Sequence, residues 1–277
     1  RPGQAPSLLV ESVQSMANHL EATAWDRAAA RPVDVLRSLP YVEVVNSDGA
    51  FLTSSRLEPH RLAAAYIRDG SHNGTGGAEW IADKLGSRPR VPLDWERIYR
   101  AVYDLDPMCL VHGVFFSDRR WHGTPKVRRA LSAVIEAHDV SPVVSGGLKR
   151  DDVQITRAEG RGANEGYGFI PFGRTEYVAR TIMLTAVIDL QQIRGYGLPA
   201  PATELLTLAA LWELATLLEG PLRLRTACDL EVVDVAVRRP RTGFRLPAAS
   251  EIAAAIGALD GGFEHGGAYQ VIWPARR

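Results

Sequence analysis

The 277-residue chain is long enough for one large domain or two small ones, and its 46% hydrophobic content is ample for a packed core. Basic and acidic residues balance at 32 each, so net charge argues neither for nor against a polyanionic partner. Two cysteines in apolar surroundings, Cys109 and Cys228, read as core residues of a reducing, cytoplasmic protein; no signal peptide is expected, and no apolar run reaches the roughly 18 residues of a membrane helix.

In chain order, Val10, Val13, Met16, Ala17, Leu20 and Ala24 fall on one helical face and predict an amphipathic helix over 10–24. "YVEVVNSDGAFLT" (41–53) predicts two short strands around an Asp-Gly turn. Pro59 near a helix start predicts a helix over 57–69, followed by a loop at 71–77 and helices at 78–85 and 94–104. "MCLVHGVFF" (108–116) reads as a buried strand. The stretch 126–140 fits a helix through Val127, Ala130, Leu131, Val134 and Ile135. It also fits a strand through Leu131, Ala133, Ile135 and Ala137. Residues 141–176 have almost no regular period, which predicts a functional or mobile stretch.

Alternation predicts strands at 180–192 and 222–237, and "ATELLTLAALWELATLLEG" between them predicts a helix stopped by Gly220. Strand, helix and strand would form a crossover unit of one sheet, with Arg223 and Arg225 on its other face.

Three segments invite a chemical reading. "GRGANEGYGFIPFGR" (160–174) has five glycines, two arginines and three aromatics. Its spacing breaks the dinucleotide fingerprint at Glu165, and Gly173 is followed by Arg174-Thr175 rather than the Lys-Ser/Thr of a P-loop. A flexible loop and a nucleic-acid contact remain, the latter because glycine permits close approach, arginine binds phosphate and aromatics stack on bases. "RRWHGTPKVRR" (119–129) is the densest basic run, with no acid between Asp118 and Glu136; it is either a solvated loop or a phosphate-binding patch. Cys109 and His112, with His122 beyond, have ligand-like spacing but no second cysteine pair, so no metal site is expected. Glu58-Pro59-His60-Arg61 reads as a polar helix start more readily than as the seat of a catalytic histidine. Lysine is confined to Lys84, Lys126 and Lys149, and all other cations are arginine, which suits phosphates and base edges but also follows from a GC-rich genome.

The blocks "LLVESVQSMANHLEA", "FLTSSRLEPHRLAAAYI", "KVRRALSAVIEAHDV", "SGGLK", "GYGFIPFGRTEY", "IRGYGL" and "LRLRTACDLE" run in order from about residue 8 to 231. They resemble the backbone subunit of type I-G (formerly I-U) CRISPR Cascade complexes, a RAMP-superfamily protein. The resemblance implies an α+β fold: a modified RRM/ferredoxin-like palm in a single domain over 1–277, with finger and thumb-like insertions at roughly 68–107 and 141–176. It implies a non-catalytic protein, without metal or cofactor, that stacks with further copies of itself along guide crRNA and presents it to target DNA. Its other implied partners are the large subunit, the crRNA-end-binding subunit and a recruited helicase-nuclease, with no membrane. Members of that family carry a further strand before the "LLVES" block, so an N-terminal segment is expected to precede Arg1.

The residues expected at RNA are Gln14, Asn18, His60 and Arg61 as a polar surface and Lys126, Arg128 and Arg129 from the basic run. Lys149 joins them, with Arg161, Asn164, Phe172 and Arg174 from the glycine-rich segment. The rival readings are a RAMP endoribonuclease that processes CRISPR RNA through a histidine, and a scaffold that binds only protein.

Overall fold

The structure is a computed structural model and describes residues 6–149, 170–259, 261–263 and 266–274. Helices and strands are both plentiful, and the class is α+β as expected. The chain divides into two compact units, one from 1–12 with 134–185 and the other from 13–133 with 186–277.

The first unit is built on a three-stranded sheet in the order Ser7–Glu11, Leu131–Lys149, Ile170–Ile188. Ser7–Glu11 runs antiparallel to the middle strand, pairing Ser7 with His138 and Leu9 with Glu136, with an irregularity before Glu11. The strand reading of 126–140 therefore prevails from Leu131 onward: Leu131, Ala133, Ile135 and Ala137 are buried and their neighbours less so. Contacts running from Ala130–Asp189 to Ser145–Glu176 make the two long strands antiparallel. Their length corrects the expectation of a patternless stretch at its two ends, 141–149 and 170–176; the rest of it lies outside the described residues. Ser141–Leu148 and most of 172–181 are exposed, so no buried face imposes a two-residue period on the sequence.

The second unit has a five-stranded sheet in the order Phe51–Ser54, Tyr41–Val45, Ala268–Ile272, Ser71–His72, Thr75–Gly76. The Asp-Gly hairpin forms as expected. Asn46 Oδ1 accepts from the Asp48 and Ala50 amides, and Gly49 takes φ +82°. Of the expected loop 71–77, residues 71–76 are a tight hairpin turning on Asn73 and Gly74, both at positive φ. Ala268–Ile272 lies parallel to Tyr41–Val45 in full register and places the buried Val271 beside Val44.

Helices Val13–Thr23, Gly77–Leu85 and Trp95–Leu105 match their periodicity, burying Met16, Ala17 and Leu20 in the first. Asp94 caps the third through Arg97 N at 3.1 Å. Residues 57–69 hold only two short turns, at Arg61–Ala63 and Ala65–Arg68. The stretch 108–116 is mostly helix, Met108–His112, with strand only at Val114–Phe115. All five residues of that helix are buried, so the sequence offers no face by which to tell the two apart.

Helix Ala200–Glu219 is long and apolar enough, by length and composition, to cross a membrane, contrary to the reading of the sequence. It is half buried, with Leu205, Leu206, Ala209 and Ala210 in the core. The expected crossover is not made: the strand before this helix belongs to the first unit's sheet. Residues 222–237 instead give a hairpin of Leu222–Arg225 with Cys228–Leu230, turning at Ala227 with φ 60°. Alternation separated Leu222, Leu224, Cys228 and Leu230 from the exposed Arg223 and Arg225, but it also put Thr226 on the less exposed face, where the chain in fact turns and Thr226 is exposed, and it specifies a face and not a partner strand.

A charged network runs through the second unit's interior. Arg56 Nε lies 2.7 Å from Asp106 Oδ1, with both side chains at most 5% exposed. Ser55 Oγ donates to Asp106 Oδ2 (2.6 Å) and accepts from Val42 N (3.1 Å), Met108 N donates to Asp106 Oδ1 (3.1 Å), and Arg56 donates to Pro40 O (3.1 Å). Nearby, His112 Nε2 and Glu213 Oε2 meet at 2.7 Å with no exposure. Burial pushes the Glu213 carboxyl above its ordinary value, against the pull of His112.

Candidate nucleic-acid interface

Gly113 is the hub of the basic region. It follows helix Met108–His112 with φ 82° and ψ 155°, a region open essentially to glycine alone. This turn lets Val114–Phe115 pair with Lys126–Val127 (Val114 to Val127, Phe115 to Lys126). Ala130 N then donates to Val111 O (2.8 Å), which holds the basic strand against the helix it left.

Two arginines fasten this hub to helix Val13–Thr23. Arg61 makes a two-pronged bridge to Glu21 (2.6 and 2.9 Å) and donates to Gly113 O (3.0 Å). Burial opposes its charge, but the hydrogen bond and attraction of Glu21 outweigh that and raise its pKa. Arg129 donates to His112 O (3.3 Å) and Val13 O (3.0 Å). Burial, then the neighbouring Arg61 charge, lowers its pKa. Its described hydrogen bonds go only to carbonyls, so its charge has no carboxylate hydrogen-bonded to it.

These ties gather several of the expected residues in one place. Gln14 follows Val13, and Asn18 lies one turn further along the same helix; both are exposed, against the alternative of a buried amide network. His60 precedes Arg61 and is exposed, as are Lys126 and Arg128. Lys126 Nζ stands 5.6 Å from the Phe115 ring centroid. Arg128 has its carbonyl held by Gln192 Nε2 (2.7 Å), and Gln192 is oriented by Tyr196, whose hydroxyl donates to Leu110 O (2.8 Å). Burial pushes the Tyr196 phenol up to about 12. The outcome is an exposed rim of amide, imidazole and cationic groups around a rigid base.

Several expectations need correction. Arg61 is an internal tie, and Arg129 is half-buried and anchored, so neither is a free side chain. Trp121 is no part of an exposed patch. Its ring packs edge-on to Phe116 (5.2 Å), and its Nε1 donates to Ala78 O. Arg120 is occupied by Asp118 and Asp69 (2.9 and 2.8 Å) and holds the Asp118 carboxyl well below the usual carboxylate range. Asp69 is distant in sequence, which is why a run free of acids looked unpaired. Cys109 and His112 are buried on a helix, and no cluster of three or more His, Cys, Asp or Glu suited to a metal occurs among the described residues.

Arg161 and Asn164 lie outside the described residues, as does the Lys149 side chain. Phe172 and Arg174 sit on the strand Ile170–Ile188 rather than in a loop. Phe172 is 44% exposed with its ring against Gly147, and Arg174 faces Glu176 at 3.3 Å. Sequence reasoning passed over Gln192 and the exposed quartet Arg238, Arg239, Arg241 and Arg245. The quartet's signal was available, since no acid lies between Asp234 and Glu251.

Gly113→Ala tests the hub. A Cβ there would meet Arg129 N and Val127 O at 3.0 Å. The substitution is expected to cost roughly 1–3 kcal/mol in stability by chemical denaturation. It should also displace Arg128 and Arg129, and so weaken nucleic-acid binding at temperatures where the fold persists.

Residues 1–142 match the family model described as CRISPR-associated protein GSU0053. A search of curated proteins finds no match.

Proposed function

We propose, on the premise that the chain belongs to the CRISPR-associated GSU0053 family and so has a role in CRISPR defence, that it is a non-catalytic backbone subunit of a type I-G Cascade complex in the cytoplasm. In this reading copies line up along guide crRNA and hold it for pairing with target DNA. Large and crRNA-end-binding subunits complete the complex, and a helicase-nuclease recruited to it cuts the DNA.

The observation that supports the reading is the exposed rim of Gln14, Asn18, His60, Lys126 and Arg128, set on a base rigidified by Arg61 and Arg129. Phosphate contacts position a strand without reading its sequence, which is what a guide of arbitrary sequence requires. A histidine nuclease needs an accessible imidazole with a partner to orient it. His112 is sealed in the interior against Glu213, whereas His72 is half-exposed with its Nδ1 2.8 Å from Gln270 O, and it is the histidine that the cleavage arm of the test addresses.

The test is binding of the purified protein to labelled single-stranded RNA across a salt series, beside incubation with CRISPR repeat RNA without metal. Salt-sensitive binding of unrelated sequences with intact RNA is expected. Discrete cleavage of the repeat would establish the endoribonuclease instead, and salt-insensitive or absent binding would leave only a protein scaffold.

A further inference from the structure

The strand Ile170–Ile188 has Leu131–Lys149 on one side and no strand on the other among the described residues. It is 19 residues long, and its outer part has apolar side chains on both faces: Tyr177 beside Val178 and Ile182 beside Met183, each 42–57% exposed. Consecutive residues of a strand point to opposite faces, so neither face is covered there. Long apolar edges of this kind are templates for another chain.

The second unit holds a segment suited to such an edge. After the hairpin ending at Leu230, "EVVDVAV" (231–237) belongs to no helix or strand, and its backbone makes no hydrogen bond among the described residues. Val233 is 96% exposed and Val235 49%. Four valines among seven residues form a strong strand sequence held without a strand partner. Its two acids, Glu231 and Asp234, have no ion-pair partner among the described residues, and the edge strand displays the exposed Arg180 beside Arg174, the latter facing Glu176 of its own strand.

We propose that residues 231–237 of one copy add as a further strand to the free edge of Ile170–Ile188 in the next copy. This rests on the self-assembly in the reading above and names the surfaces that make it. Donor and acceptor are different parts of the chain, so each copy has one of each to offer. A contact of that heterologous kind extends head-to-tail wherever its rotation does not close on itself. Backbone hydrogen bonds supply the attraction, the valines and the exposed apolar residues of the edge cover one another, and the opposite charges favour this pairing over edge with edge.

The experiment uses the full chain with Val233→Pro and Ala236→Pro together. They remove N–H donors from both sides of the segment whatever its register, and neither donor is used in the isolated subunit. Sedimentation is measured over a concentration series, with and without single-stranded RNA. The unaltered protein is expected to form extended oligomers, and the proline variant to stay monomeric with an unchanged melting temperature and unchanged binding of an RNA long enough for one copy. In parallel, copies bearing Tyr177→Cys and differently tagged copies bearing Val233→Cys, both with Cys228→Ser, are treated with a short bifunctional maleimide. Crosslinks between the two tags are expected. Undiminished assembly of the proline variant, absence of any assembly by the unaltered protein, a closed two-fold dimer, or crosslinking confined to a single doubly substituted chain would each overturn the proposal. Loss of RNA binding by the unaltered monomer would instead refute the functional reading and leave this test intact.

Discussion

Asp106→Ala is expected to remove most of the stability of the second unit, by about 3–5 kcal/mol, because it leaves the Arg56 guanidinium buried without its counter-charge. The loss extends beyond one pair. Ser55 Oγ loses its acceptor, and the amide of Met108 loses the carboxylate that starts the helix Met108–His112. Urea denaturation of the single variant should therefore show a much lower midpoint. The informative comparison is Arg56→Met with Asp106→Leu in one chain. Buried pairs replaced by apolar residues of similar size are often tolerated, so the double variant should recover much of the stability. A single variant as stable as the parent would show that solvent reaches the pair.

Lys126→Ala with Arg128→Ala is expected to leave folding intact and to flatten the salt dependence of RNA binding. Each phosphate contact to a single strand contributes about 0.7 to the slope of log affinity against log salt, so losing two should lower it by about 1.4. Both side chains are exposed, and neither ties elements together. Arg129→Ala should behave differently. It frees the carbonyls of His112 and Val13, so it should lower the melting temperature as well as affinity. A double variant whose slope matches the parent would place Lys126 and Arg128 on a merely solvated face. Only titrations at several salt concentrations separate these outcomes, since affinity at one concentration falls in either case.

Elements whose side chains divide into a wet and a dry side were legible in the sequence. The helix Val13–Thr23 buries Met16, Ala17 and Leu20 of the face its period selected, though Val13 is exposed, and the hairpin 41–54 and the helix Trp95–Leu105 form where expected. Legibility failed at two extremes. Met108–His112 is buried on every side, and the far parts of the two long strands are exposed on both, so neither has a contrast for periodicity to report. Ala268–Ile272 shows alternation too short to stand out, and its place in the sheet depends on a parallel neighbour far away in the chain. The candidate site was legible as composition but not as geometry. A basic run announces charge, whereas the roles of its members depend on acceptors remote in sequence, Asp69 for Arg120 and Val13 for Arg129, as the role of Arg61 depends on Glu21. Those partners divide the run into side chains that build the surface and side chains left to meet a ligand.

The position of Ala268–Ile272 also governs what happens while the protein is being made. It is the middle strand of its sheet, yet it is translated long after both neighbours. A ribosome-bound chain therefore holds the hairpin 41–54 and the hairpin 71–76 apart, with the slot between them empty. A product interrupted before Ala268 would leave one edge of Tyr41–Val45 unpaired, a row of backbone donors and acceptors open to other chains.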